Sequence, residues 1–167
     1  TAYSNLEITA GRQFADTDAA IAAAERSDIV VYAVIEDCEI QGEGVSRTRL
    51  DLTGRQQEML EALVATGKPL VLVVETGRPL ALSYADKHAA AIVIAWHPGT
   101  EGRTALAELL LGEVVPSGKL PMTFPRAAGQ IPIAYNSLPT SRPWTGSRYT
   151  SGYVDEEPTP LYPFGYG

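Results

Sequence analysis

The chain has 167 residues, room for about one domain, and its 45% apolar and 20% charged residues suit an ordinary folded domain rather than a disordered or collagen-like chain. Thirteen Lys and Arg against 20 Asp and Glu leave a net charge of −7 with no basic stretch, which argues against nucleic acid as a partner. The longest apolar runs, Ile29–Ile35 and Leu70–Val74, fall far short of the roughly 20 residues a bilayer-spanning helix needs, and one cysteine with two histidines offers no metal-ligand spacing, so neither a membrane span nor a metal or other cofactor is expected.

The opening TAYSNLEITA lacks the basic and apolar regions of a signal segment and lacks an initiator Met; the start reads as a cut one, and the compartment stays open, periplasmic or secreted included. DTDAAIAAAERS, from Asp16 to Ser27, is Ala- and Glu-rich and opens with acceptor side chains, which predicts a helix. IVVYAVI follows at Ile29–Ile35, a β-branched run without polar alternation, as a strand buried on both faces requires. Thr53 is placed to cap the next helix, in which Met59, Leu60, Leu63 and Val64 share a face and which Gly67 ends. LVLVV at Leu70–Val74 is the second buried strand and AAAIVIAW at Ala89–Trp96 the third, with a short helix between them. Thr100–Leu111 is helical in pattern and Gly112 stops it. These helix–strand steps predict an α/β fold, an open, mostly parallel sheet sandwiched by helices and doubly wound.

Beyond Gly112 nine of the twelve prolines interrupt any long element. Leu120–Phe124 reads as a short edge strand. Residues 127–167 read as an irregular Pro- and Tyr-rich wrap over a core spanning 16–126, with Tyr149, Tyr153, Tyr162 and Tyr166 packing the tail down or stacking on sugar rings.

Between the first buried strand and the next helix lie 17 residues, EDCEIQGEGVSRTRLDL, where an α/β connection usually takes 2–6. Loops leaving the carboxyl ends of parallel strands form the binding edge of such sheets. This one carries Glu36, Asp37, Glu39 and Glu43, with Gly42 and Gly44 permitting unusual dihedrals around Glu43. Two readings stand side by side here: a carboxylate presented for general acid catalysis, or a solvated acidic turn.

QGEGVSR, LDLTGRQQEMLEALVATGKPLVLVVETGRPLAL, AWHPGTEG, VVPSGKLPMTFPR, GQIPIAYN and TPLYPFGYG, in this order, resemble glycoside hydrolase family 3 of the bacterial β-glucosidase type. The resemblance covers nearly the whole chain from about Asp16 and implies the larger part of the α/β sandwich domain that follows a (β/α)8 barrel. It places that domain's first strand and helix, and the barrel, upstream of Thr1, and in many members a fibronectin-like module downstream. It further implies retaining hydrolysis of terminal β-linked glucosyl residues, or of xylosyl ones, with a nucleophilic aspartate on the barrel and an acid/base glutamate in this domain, so that the chain alone would be inactive. The family's loop pattern falls on Glu43 as acid/base, with Ser46 and Arg47 completing it. Arg47 either fixes the loop through an acidic neighbour or is a surface cation. His97 stands where relatives commonly carry an aromatic, and is read as a packed or capping side chain or as part of the substrate rim. Glu36, Asp37 and Cys38 stand where many relatives have a Gly-Glu pair. Ser27-Asp28, at a helix end, is rejected as nucleophile.

GEVVPSGKL departs from a phosphate-binding loop, and neither GxGxxG nor GxSxG occurs. The rival reading is a non-catalytic carbohydrate-binding or interface module built on the same sandwich.

Overall fold

The computed structural model describes residues 6–10 by backbone and residues 17–138 and 142–167 in full. Four strands form one parallel sheet in the order β1 (Leu6–Ala10), β2 (Ile29–Ile35), β3 (Leu70–Glu75), β4 (Ala91–Ile94). Four helices punctuate them: α1 (Thr17–Arg26), α2 (Gln56–Ala65), α3 (Ser83–His88) and α4 (Gly102–Leu111). The α/β class and parallel sheet are as the sequence implies. The strand order has no reversal, so the switch point that double winding requires is not among these strands. β1 is an addition, because LEITA is too short and mixed to stand out as a strand before its pairing partner is known.

β2 and β3 are the central strands, and their apolar runs are buried as a two-sided strand should be. β4 departs from expectation: it is an edge strand among the described residues, with Ala91 exposed and Ile92, Val93 and Ile94 half-buried. The core joins Tyr32, Val34, Leu70, Leu72 and Val74 of the sheet to Met59, Leu60 and Leu63 of α2. Each such side chain contributes roughly 1.5–3 kcal/mol by leaving water.

α1 carries Asp18 in its first turn and Arg26 in its last, both favourable to the helix dipole. Ser27 follows it, its hydroxyl donating to the Ala23 carbonyl at 2.9 Å. Thr53 does not cap α2. Its carbonyl accepts from the Gln56 amide in a turn, and the helix starts after Arg55 with no side-chain cap. The start is instead fastened to β2: Gln56 Nε2 donates to the Ile35 carbonyl at 2.7 Å, and the Tyr32 hydroxyl donates to the Gln56 carbonyl at 3.2 Å. Gly112 ends α4 in the left-handed conformation (φ 78°) that a glycine adopts at least cost.

From Glu113 the described chain is irregular apart from a 3-10 turn at Ala128–Gln130 and an antiparallel bridge between Phe124 and Tyr162, so Leu120–Phe124 contributes a bridge rather than a strand. Phe124 is fully buried and Tyr162 nearly so, with Tyr166 stacked on Tyr162 at 5.1 Å. Tyr149 and Tyr153 remain exposed and do not pack the tail down.

Candidate active site

Because all four strands run parallel, their carboxyl ends meet at one edge, and three of the connections leaving that edge build the site. The register pairs Ile35 with Glu75 and Val74 with Ile94, which carries Glu36 to the side of Thr76, and the end of β4 to the side of the Thr76–Arg78 turn. The Thr76 hydroxyl donates to Glu36 Oε2 at 2.5 Å, and the His97 ring stands so close to Gly77 that an added Cβ there would lie 3.1 Å from its Nε2.

Glu36 is 3% exposed and is the one charged residue among the described residues that is buried. Its Oε1 is paired with Arg47 Nη1, and its Oε2 lies 3.3 Å from Arg78 Nε. A buried carboxylate is tolerated only when paired and hydrogen-bonded, and here both oxygens are engaged. Arg47 also donates to the Asp51 carbonyl at 2.8 Å, which joins Glu36 to the far end of the loop. Arg78 Nη2 donates to the Ile40 carbonyl at 2.8 Å, and Gln41 bridges the Glu36 carbonyl (2.7 Å) and the Gly77 amide (2.9 Å).

Within this frame the 17-residue loop has two parts. Asp37 caps a 3-10 turn at Cys38–Ile40 by accepting from the Glu39 amide. Gly42–Val45 then form a tight turn, closed by the Val45 amide on the Gly42 carbonyl at 3.2 Å. Gly44 sits at its third position with φ 74°, the conformation for which that position of a type II turn selects glycine. Glu43 occupies the tip, exposed, and its carboxylate makes no ion pair or hydrogen bond among the described residues.

Beneath the tip opens a cleft of about 840 Å³, lined by Cys38, Gln41, Gly42, Val45, Ser46, Arg47, Gly77, Arg78 and His97. That is a volume typical of small-molecule sites. Ser46, Arg47 and His97 therefore converge on one cleft, while Glu43 stands at its rim rather than in its wall. His97 is exposed and lines this cleft. It follows Trp96, which holds φ 52° at a cost of order 1–3 kcal/mol and packs edge-on against Phe124 at 5.8 Å.

Glu36, Gln41, Thr76 and Arg78 were not singled out from the sequence as site residues. The signal available was positional: a charged residue directly after one buried run, and Thr-Gly-Arg directly after the other, belong to one edge once the strands are parallel neighbours.

The sequence matches the family described as the glycosyl hydrolase family 3 C-terminal domain over residues 5–167. It is 50% identical over 153 residues to a periplasmic beta-glucosidase of Salmonella typhimurium, an alignment covering 90% of this chain and 20% of the relative. It is 41% identical over 148 residues to a beta-xylosidase of Formosa agariphila, covering 89% of this chain and 20% of that protein. The fold superimposes on the crystal structure of a beta-glucosidase from Listeria innocua in complex with isofagomine with a TM-score of 0.86 at 41% identity, over 90% of this chain and 22% of the other. The chain thus spans about a fifth of the length of these relatives.

Proposed function

The chain belongs to the glycosyl hydrolase family 3 C-terminal domain family, and from that premise we propose that it is the acid/base-bearing domain of a retaining β-glucosidase, with Glu43 as the proton donor. The observation that carries the reading is the placement of Glu43: an exposed carboxylate, without a partner among the described residues, at the tip of a turn on the binding edge of the sheet and above a cleft of sugar-accommodating size.

Retaining hydrolysis takes two carboxyl groups about 5–5.5 Å apart across the glycosidic bond. The nucleophilic aspartate comes from a (β/α)8 barrel, in the same or another chain, facing Glu43. It attacks the anomeric carbon while Glu43 gives its proton to the departing oxygen. The ionised Glu43 then removes a proton from water, which attacks the glycosyl-enzyme from the vacated side and releases the sugar with its configuration kept. Arg47 and Ser46 support the loop and, with His97, line the leaving-group side of the cleft. The substrate is a terminal β-glucoside or an oligosaccharide, a xyloside being the nearest variant given the beta-xylosidase among the relatives. We place the sandwich core of this domain at about residues 16–126 together with strand β1, and take residues 127–167 as a wrap over it.

Glu43→Gln in the complete enzyme tests the assignment. Hydrolysis of alkyl glucosides, whose leaving groups need a proton, is expected to fall by about 10²–10⁴-fold, and hydrolysis of activated aryl glucosides far less. Equal loss on both would sink it.

A further inference from the structure

Among the described residues, every side-chain tether on the Glu43 loop attaches beside the tip and none attaches to Glu43. On one side Gln41 is held by the Glu36 carbonyl and the Gly77 amide; on the other Arg47 is held by the Glu36 carboxylate and the Asp51 carbonyl. Arg78 spans the two, donating to the Ile40 carbonyl at 2.8 Å and the Val45 carbonyl at 3.5 Å. Glu36 is common to both sides. It gives its carbonyl to Gln41, one carboxylate oxygen to Arg47 and the other to Thr76 and Arg78, yet it is not part of the cleft wall.

We propose that Glu36 is a positioning residue: a buried negative hub that, by drawing Arg47 and Arg78 onto opposite oxygens of one carboxylate, sets where the Glu43 turn stands over the cleft. The inference rests on the acid/base reading of Glu43. Desolvating a lone carboxylate or a lone guanidinium costs several kcal/mol, whereas here two guanidinium groups flank one carboxylate, Arg47 hydrogen-bonded to Oε1 and Arg78 Nε facing Oε2 at 3.3 Å as an ion pair without a hydrogen bond, so the arrangement holds as a unit. Its directional bonds fix orientation as well as distance. A displacement of about 1 Å in a reacting group is worth roughly a hundredfold in rate, which is the effect at stake.

The test uses Glu36→Gln in the complete enzyme, which keeps the side chain's shape and removes its charge. On an alkyl glucoside kcat is expected to fall about a hundredfold with KM little changed, because Glu36 does not line the cleft, and activated aryl glucosides are expected to lose much less. Combined with Glu43→Gln, the substitution should add no further loss on the alkyl substrate. Amide exchange across residues 37–51 should quicken while β2 and β3 stay protected. Unaltered exchange across 37–51, or a loss that adds in full to that of Glu43→Gln, overturns the proposal. If Glu36→Gln does not fold, Thr76→Val, which removes one partner of Oε2, should give the same pattern to a smaller degree, and its absence is equally decisive. Should Glu43→Gln slow both substrate classes alike, the acid/base reading falls and the exchange measurement alone decides the tether.

Discussion

Two long irregular stretches hang from the same sheet, Glu36–Leu52 and the chain beyond Gly112, and they are gathered around different centres. The first is fastened by hydrogen bonds and ion pairs converging on one buried carboxylate. The second is gathered around buried rings, Phe124 contacting those of Trp96 at 5.8 Å and Tyr162 at 6.1 Å, with polar bonds beside them that do not meet at one charge: main-chain bonds join Phe124 to Leu161 and Tyr162, the Tyr162 hydroxyl donates to Asp86 at 2.7 Å, and the Ser83 hydroxyl donates to the Arg126 carbonyl at 3.0 Å. Apolar contact is non-directional and attaches a segment without orienting what lies beyond the attachment; Tyr149 and Val154 accordingly stand out from the surface. Polar tethers constrain angle too. The segment bearing the candidate catalytic group uses the second kind of bond.

The sharpest way to break that contrast is Phe124→Ala. Removing a fully buried ring from the point where tail and β4 meet is expected to cost about 3–5 kcal/mol in denaturant unfolding while amide exchange in residues 37–51 stays unchanged. A loop that loosens together with the tail would show the two fastenings to be one. Next comes Tyr162→Phe, expected to cost about 1 kcal/mol through the bond to Asp86. Burial, reinforced by Asp86, raises the Tyr162 phenol above its ordinary range, and burial raises that of Tyr32. The folded chain therefore keeps these protons where an unfolded tyrosine, ionising near about pH 10, gives them up. Stability should hold below that pH and decline above it, and Tyr162→Phe should flatten part of the decline in alkaline unfolding curves. The smallest effect belongs to Arg49→Ala. Its contact with Asp51 is 3.8 Å long and exposed on both sides, so the change should shift stability by less than about 0.5 kcal/mol. A larger loss would mean that rim charges share in holding the loop.

Elements with an uninterrupted local signal were legible beforehand: β2 and β3 as unbroken apolar runs, α2 from its apolar face, α4 from the glycine that ends it. Elements defined by a neighbour were not. β1 exists through its pairing with β2, and the exposure of β4 follows from its place at the edge of the strand order. Thr53 has the right side chain for a cap, but the chain makes a turn there first. For the candidate site, Glu43, Ser46, Arg47 and His97 were named from motif resemblance, and the structure draws the last three onto one cleft. The partner of Arg47 was not, because a carboxylate after an apolar run looks the same whether it faces water or a second strand's turn; the register that places Thr76 and Arg78 beside Glu36 is tertiary information.

The turn that carries Glu43 is an arch with both feet clasped, at Gln41 and at Arg47, and only Gly42–Ser46 lie between. Each added residue would lengthen the span by up to roughly 3.3 Å of chain with no demand on the sheet beneath. How far the carboxylate reaches is thus written in the length of a short segment that the core does not read, and insertions or deletions there would alter that reach while the scaffold stays the same.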